Sequence, residues 1–525
     1  MATSNLTSKT GYLNAKKIVD SIVNADSNMY VYIGRPQPWS TTSDDPPDVA
    51  NTLEAEYQVW HDMTALKKVN SQDVTLGFKK IEWTSGIQYD EYAHDVDLST
   101  KNFYVITDQN KVFKCIDNNN TVSTVKPTST STSIVEVADG YKWKYMFTLT
   151  DSLIRKFAFG DFLPISRDAN VVDDATVGAI NHLKVVDGGA GYETSVSYVD
   201  SSDPGLLVYV LGDGAEIAAA TCTISASGGI IQNDPSIVDG GSGYVLSQVG
   251  TVPVMIRQIS DAGAIETAFG KATTNAVGEI VSVELVEGGS GYTTGAAVIV
   301  QSSCFGYAET NSSGEITNAE IFEFRSGTNF RKARAIVLGS STTEADIKPI
   351  ISPFAGHGAS PERELLARYV IINLNFAFDE GEGDFTIQND FRRIGLIENP
   401  LAYGTTTPAT ALTLNAKPTL NLTGISGSFS EDDLIYGGTS GAIGLHVDVI
   451  DTNKLRYIQD DTLSNNIDFV AGEEISSSSG ASATISSVAQ PEVEPYSGDL
   501  VFINNTIAVD RSSSQIETIA LVLEY

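Results

Sequence analysis

Three glycine clusters are the first residues in this chain whose spacing suggests chemistry. Residues 186–192 read VDGGAGY, 238–244 read VDGGSGY and 286–292 read VEGGSGY. Clustered glycines cradle a phosphate when they join a strand to a helix, because backbone N–H groups then face the anion. Neither GxxxxGK[ST] nor a strand–GxGxxG–helix pattern is present, and the residues after each cluster read as strand. Calcium-binding GGxGxD repeats need a carboxylate where this chain has Tyr192, Tyr244 and Tyr292. The role left is geometric. Gly188, Gly189, Gly191, Gly240, Gly241, Gly243, Gly288, Gly289 and Gly291 supply positive φ for turns or bulges. Each tyrosine is expected to cap its turn with apolar area and a wettable hydroxyl.

Other reactive residue types are scattered. His61, His94, His182, His357 and His446 form no HxH or HExxH pattern, so zinc is not expected. His357, between two glycines, is the one whose ring has room to approach a ligand, but a lone histidine lacks the placed partner that a general base requires. No GxSxG marks a nucleophile. Acidic runs at 43–48, 379–384 and 430–433 offer carboxylate pairs of the kind that cleave glycosides. In a chain with 66 acids they read first as solvated loops. Cys115, Cys222 and Cys304 lie far apart without metal spacing and read as free, mostly buried thiols in a reducing compartment. No catalytic group, metal or cofactor is therefore expected.

Charge narrows the partners. Against those 66 acids stand 33 Lys and Arg, for a net charge of −33. Such a surface disfavours nucleic acid and anionic membrane. The N-terminus has no apolar core of a signal peptide, and no apolar run is long enough to span a bilayer.

The elements that must position these residues are mainly strands. Helices are predicted over 11–25, with Leu13, Ile18, Val19, Ile22 and Val23 at near-helical spacing, and over 50–66. MYVYIG between them reads as a strand stopped by Pro36 and Pro38. Short apolar runs from 103 to 150 read as strands, PERELLARYV as a helical turn opened by Pro361, and YVIINLNFAF as a buried strand. Between 170 and 345 aromatics thin and small residues rise. Here Val177, Gly178 and Ile180 precede Tyr192 as Val277, Gly278 and Ile280 precede Tyr292. A fourth, eroded copy ends at Phe330, in the tyrosine's place. Each copy reads as strand, glycine turn, aromatic, strand. A second repeat pairs 429–449 with 469–488, with Phe429 and Phe469 each six residues before an isoleucine. Trp39, Trp60, Trp83 and Trp143 all fall in the first 150 residues, as core or subunit-contact aromatics.

Four stretches carry a resemblance. YIGRPQPWS (32–40), DGYKWKYMFTL (139–149), RRIGLIENPL (392–401) and the C-terminal 497–525 resemble, in order, segments of a baseplate wedge protein of T-even-type contractile-tailed bacteriophages, the product of gene eight. The residues that carry it are Gly34, Arg35, Pro38 and Trp39; Asp139, Gly140, Tyr141, Trp143 and Tyr145; and Asn399 and Pro400. The resemblance spans about 1–165, 346–410 and 491–525 and leaves out both repeat regions. It implies a mainly β fold with a few α-helices: a multi-domain, β-sandwich-like core with inserted β-repeat domains. The expected parts are a wedge core over 1–170, 346–410 and 491–525, a glycine-rich insertion over 171–345 and a small β module over 411–490. It also implies a non-enzymatic structural subunit of the virion, assembled in the bacterial cytoplasm, forming a homodimer and contacting other wedge proteins. The alternative is a tail adhesin or a glycan-binding or depolymerising tail protein that presents the repeated tyrosines.

Overall fold

The computed structural model describes residues 9–40, 45–192, 206–212, 215–221, 223, 231–239, 252–258, 268–276, 279–292, 296–302, 304–337, 341–376, 390–430, 432–451, 453–459, 467–509 and 517–525. The fold is mainly β, with several sheets and a few helices. The chain divides into two compact units. One holds 1–79, 151–165 and 366–525; the other holds 80–150 and 166–365. The stretch 1–170, read as one part from composition, is thus shared between both units.

In the first unit, MYVYIG forms the strand Met29–Gly34, buried at every position. It sits mid-sheet, antiparallel to Met63–Lys68 on one side and Phe391–Glu398 on the other. Burial on both faces is why the run is continuously apolar rather than alternating. Asp499–Val509 continues the sheet beyond Phe391–Glu398. Three of the four family-like stretches are therefore neighbouring strands. The helix predicted over 50–66 runs only from Leu53 to Asp62. Thr52 caps its start by accepting from the Ala55 amide. It stops because Met63–Lys68 gives its backbone to the sheet, with Tyr30 opposite Lys68. The first helix, Lys9–Val23, buries Tyr12, Ala15 and Ile22, while Leu13 and Val23 face solvent. The expected stripe is rotated, because the small residues Gly11 and Ala15 let the helix approach closely: a Cβ on Gly11 would lie 2.3 Å from the Tyr525 carbonyl oxygen.

The second repeat closes into a six-stranded barrel between Thr419 and Ala489. Leu420, Leu422, Ile435, Tyr457, Phe469 and Ile475 fill it. Its two copies clasp each other. The Asp433 carboxylate accepts from the Ser478 and Ser479 hydroxyls, at 3.0 and 2.6 Å, in the other copy's turn. The Glu473 carboxylate accepts from the Thr439 and Ser440 amides in return, at 3.1 and 2.8 Å. Asp433 is buried, so the acidic run at 430–433 is not simply a solvated loop. Burial alone would raise both carboxyls, yet these hydrogen bonds hold each below its usual range.

The second unit contains the four-stranded sheet of Tyr104–Ile106, Lys111–Asp117, Lys142–Thr148 and Val135–Glu136. It also contains the first repeat, which has an internal order that composition did not reveal. An inner sheet runs Ser236–Asp239, Ala215–Thr221, Ala296–Ser302, Val252–Gln258, Ala268–Thr274, Ile280–Glu287. Its two central strands, Ala296–Ser302 and Val252–Gln258, pair antiparallel. The outer strands form two further groups. Ile316–Ser326, Cys304–Thr310, Leu206–Gly212 and Ala333–Val337 form one sheet, and Asp346–Ile351 pairs with Ile180–Asp187. The inner sheet is inserted between the outer strands Leu206–Gly212 and Cys304–Thr310.

Candidate functional site

The family-like stretch at 32–40 leads directly into a cleft of about 1440 Å³ in the first unit. Its floor is ionic. Asp62, the last residue of its helix, places its carboxylate 3.1 Å from the Arg35 guanidinium and 2.8 Å from that of Arg393. Both cations lie over Trp39, with the Arg35 and Arg393 guanidinium carbons 4.7 and 5.4 Å from its ring centroid. The indole donates to the Thr506 carbonyl at 3.0 Å. Burial lowers the Arg393 pKa, opposed by the Asp62 charge. Arg35 has a positive φ of 59°, and a Cβ on Gly34 would fall 2.5 Å from the Asp62 carbonyl oxygen. The turn thus requires glycine at 34 and bends sharply at 35, and the Pro38 carbonyl accepts from Arg35.

The mouth of the cleft is apolar and aromatic. Val49, Tyr57 and Tyr496 line it and are 41%, 48% and 53% exposed. Two donors on the wall, Arg35 Nε and Gln37 Nε2, are buried without a hydrogen-bond partner among the described residues. Beneath it Lys417, fully interior, donates to the His61 and Trp60 carbonyls at the C-terminus of the helix. Its ammonium there satisfies carbonyls that the helix leaves unpaired. Burial lowers its pKa to about 8. Such a cleft suits a protein contact: aromatic and arginine side chains dominate the energetics of interfaces.

The other family-like residues hold turns. Asn399, at φ 52°, accepts from the Asn28 amide at 2.8 Å and returns its own amide to the Asn28 carbonyl. The Pro400 carbonyl accepts from Ala409. In the second unit Asp139 gathers the amides of Thr124, Val125 and Tyr141. Gly140, at φ 82°, lies against Asn119. Tyr141 is interior and stacks on Trp143 with centroids 5.5 Å apart. Trp143 is 2% exposed and Tyr145 is buried beside it. The 32–40 and 139–149 stretches therefore fall in separate units rather than in one core.

Among the described residues the glycine turns do what geometry asked of them, but Tyr192 and Tyr292 do not face water. Gly189 and Gly191 have φ of 59° and 76°, and Gly289 and Gly291 have 58° and 81°. The fourth copy keeps the pattern with Gly327 at 61° and Asn329 at 63°. Gly188 and Gly288 accept from the Ile316 and Ile231 amides, so each turn is tied to a neighbouring copy. Tyr192, Tyr292 and Phe330 are 5%, 3% and 2% exposed. The Tyr192 hydroxyl accepts from Ala345, and the Tyr292 hydroxyl accepts from Ala268 and donates to Ile256. The expected wettable tips are core anchors, because a turn with two positive-φ residues folds its aromatic back under the sheet. Gly240, Gly241, Gly243 and Tyr244 lie outside the described residues, as do Cys222 and the acidic run 379–384.

His357 is interior beside Lys114, Lys144 and Tyr92. Its ring packs edge-on against Tyr92 at 5.1 Å, and neither ring nitrogen has a partner among the described residues. Lys114 forms a buried ion pair with Glu364, which also accepts from the Gly358 amide. Burial, then the two ammonium groups, push the imidazole well below its usual range. Cys115 and Cys304 are buried, and neither is in a disulfide among the described residues. Among the described residues no group of three His, Cys, Asp or Glu is placed to hold a metal. Among them too, no helix is long and apolar enough to cross a membrane.

No protein-family model matches this chain, and no curated protein matches it. The residues that sequence reasoning missed are Asp62, Arg393, Lys417, Asp433 and Glu473. Two signals touched them: the Arg pair opening a strand that resembles the family's, and the acidic run at 430–433 that holds Asp433 but was read first as a solvated loop.

Proposed function

We propose that this protein is a structural subunit of a contractile-tail baseplate wedge, joining other wedge proteins and itself pairing as a homodimer. One observation carries the reading. Three of the four ordered family-like stretches, far apart in the chain, are adjacent strands of one sheet and together build one cleft whose aromatic and arginine lining suits a subunit contact. The adhesin alternative loses its motive at Tyr192 and Tyr292, whose hydroxyls are consumed by backbone groups.

Antibody labelling of intact tails by electron microscopy tests the reading. Label at the baseplate is the expected result; label at fibre tips, or none on the particle, overturns it. Light scattering tests the homodimer: twice the 56.0 kDa chain mass is expected, and a trimer would favour a fibre or adhesin.

A further inference from the structure

A second cleft in the first unit, of about 760 Å³, carries the opposite charge to the rest of the molecule. Among the described residues, Lys67, Lys68, Arg155 and Lys156 line it against a single acid, Asp73. The whole chain has 33 cations to 66 acids. Four to one in a concave site, within a chain of one to two, is a local reversal of sign. Asp73 is committed to Lys156 at 3.1 Å, and Lys67 donates to the Asn375 carbonyl at 2.8 Å. Lys68 and Arg155 have no carboxylate partner among the described residues. Leu412, 64% exposed, adds an apolar side chain at the same cleft.

We infer that this cleft docks a short acidic segment of a partner polypeptide, bearing clustered carboxylates and an apolar side chain to lie on Leu412. The inference rests on the assembly reading and names the chemistry of one partner. Complementary charge fixes register and speeds encounter. On a surface this acidic, a basic concavity is where an acidic partner meets least repulsion. A nucleic acid long enough to leave the cleft would run onto the acidic surface.

The test uses the full chain and a fluorescein-labelled peptide of four glutamates followed by leucine, read by anisotropy at about 20 mM NaCl. Saturable binding is expected, and it should be lost at about 300 mM NaCl as the charges are screened. K68E/R155E should weaken it about ten-fold or more. K9E/K17E, which makes the same change in net charge on the exposed face of the first helix, should leave most of it intact. No binding, equal loss in both variants, or tighter binding of a labelled DNA octamer at the same site overturns the inference. If K68E/R155E tails still carry the protein at the baseplate, the cleft fails as a docking site while the wedge reading stands. Absence of the wild-type protein from the baseplate fails the wedge reading itself.

Discussion

Asp62 neutralises one of two arginines packed around Trp39 and is 11% exposed in its side chain. Removing its charge leaves both guanidinium groups in a partly dry site, and breaking a buried ion pair from one side typically costs about 3 kcal/mol or more. Asp62→Asn should therefore lower the urea midpoint by that order, and an unchanged midpoint would mean that water reaches the cleft floor freely. His357 makes a prediction in pH. Its folded pKa is depressed, so as pH falls through the usual 6.5 the unfolded chain takes up this proton first. Stability present at neutral pH is then lost on acidification. Groups facing the ring include Lys114, Lys144, His182, Tyr92 and Glu364. Of these, His182 is also depressed and will keep part of the slope. His357→Met should be as stable as the parent at pH 7, since no ring hydrogen bond is lost. It should also lose less stability than the parent between pH 7 and about pH 5. Thermal melts across this range decide it; parallel curves for the two proteins would remove His357 from the account.

At the scale of elements, both repeats are built by reciprocity. In the barrel, each copy's carboxylate closes the other copy's serine turn. In the first repeat, the turns at 188, 288 and 329 among the described residues are each hydrogen-bonded to backbone of another copy. A lone copy cannot satisfy its own turn, which is why these units come in pairs. The inner sheet is inserted between two antiparallel strands of the outer one, in the register that sets Tyr209 opposite Phe305. Continued past Tyr209 and Phe305, that register brings the ends of the two strands into line for a two-residue hairpin. Replacing 212–302 with Asn-Gly should leave the outer strands folded around Tyr192 and Phe330, with cooperative melting and hydrogen-exchange protection over 316–326. Loss of that protection would show that the inner sheet is needed to complete the outer one.

At the scale of the whole molecule, 33 unbalanced acids repel one another. Salt screens exposed charges and leaves the buried Lys114–Glu364 pair largely unaffected. Raising NaCl from about 20 to about 200 mM should lift the melting temperature by a few degrees. A fall would mean that attractive surface pairs dominate over the net charge. The same repulsion bears on assembly, since two such chains approach each other at a cost wherever like charges face. Apolar and basic patches are therefore the places where contact with an acidic neighbour is least opposed.

Local pattern in the sequence determined the class of fold, most strands, the helix at 9–23, the positive-φ turns and the existence of both repeats. These depend on near neighbours: alternation, glycine at left-handed positions and self-similarity. The helix at 53–62 was legible at its start, where Thr52 caps it, but not at its end, where a strand 30 residues earlier takes the backbone. What the tertiary structure alone decided was partnership. Asp62 meets Arg393 across 331 residues, Lys417 reaches a helix end 356 residues away, and Asp433 closes a turn 46 residues on. A charged side chain's role is set by what faces it, and that depends on long-range pairing of strands. The tyrosines of the glycine turns show the same limit: their spacing in the chain announced a turn, and only the packing of one copy on another put them inside.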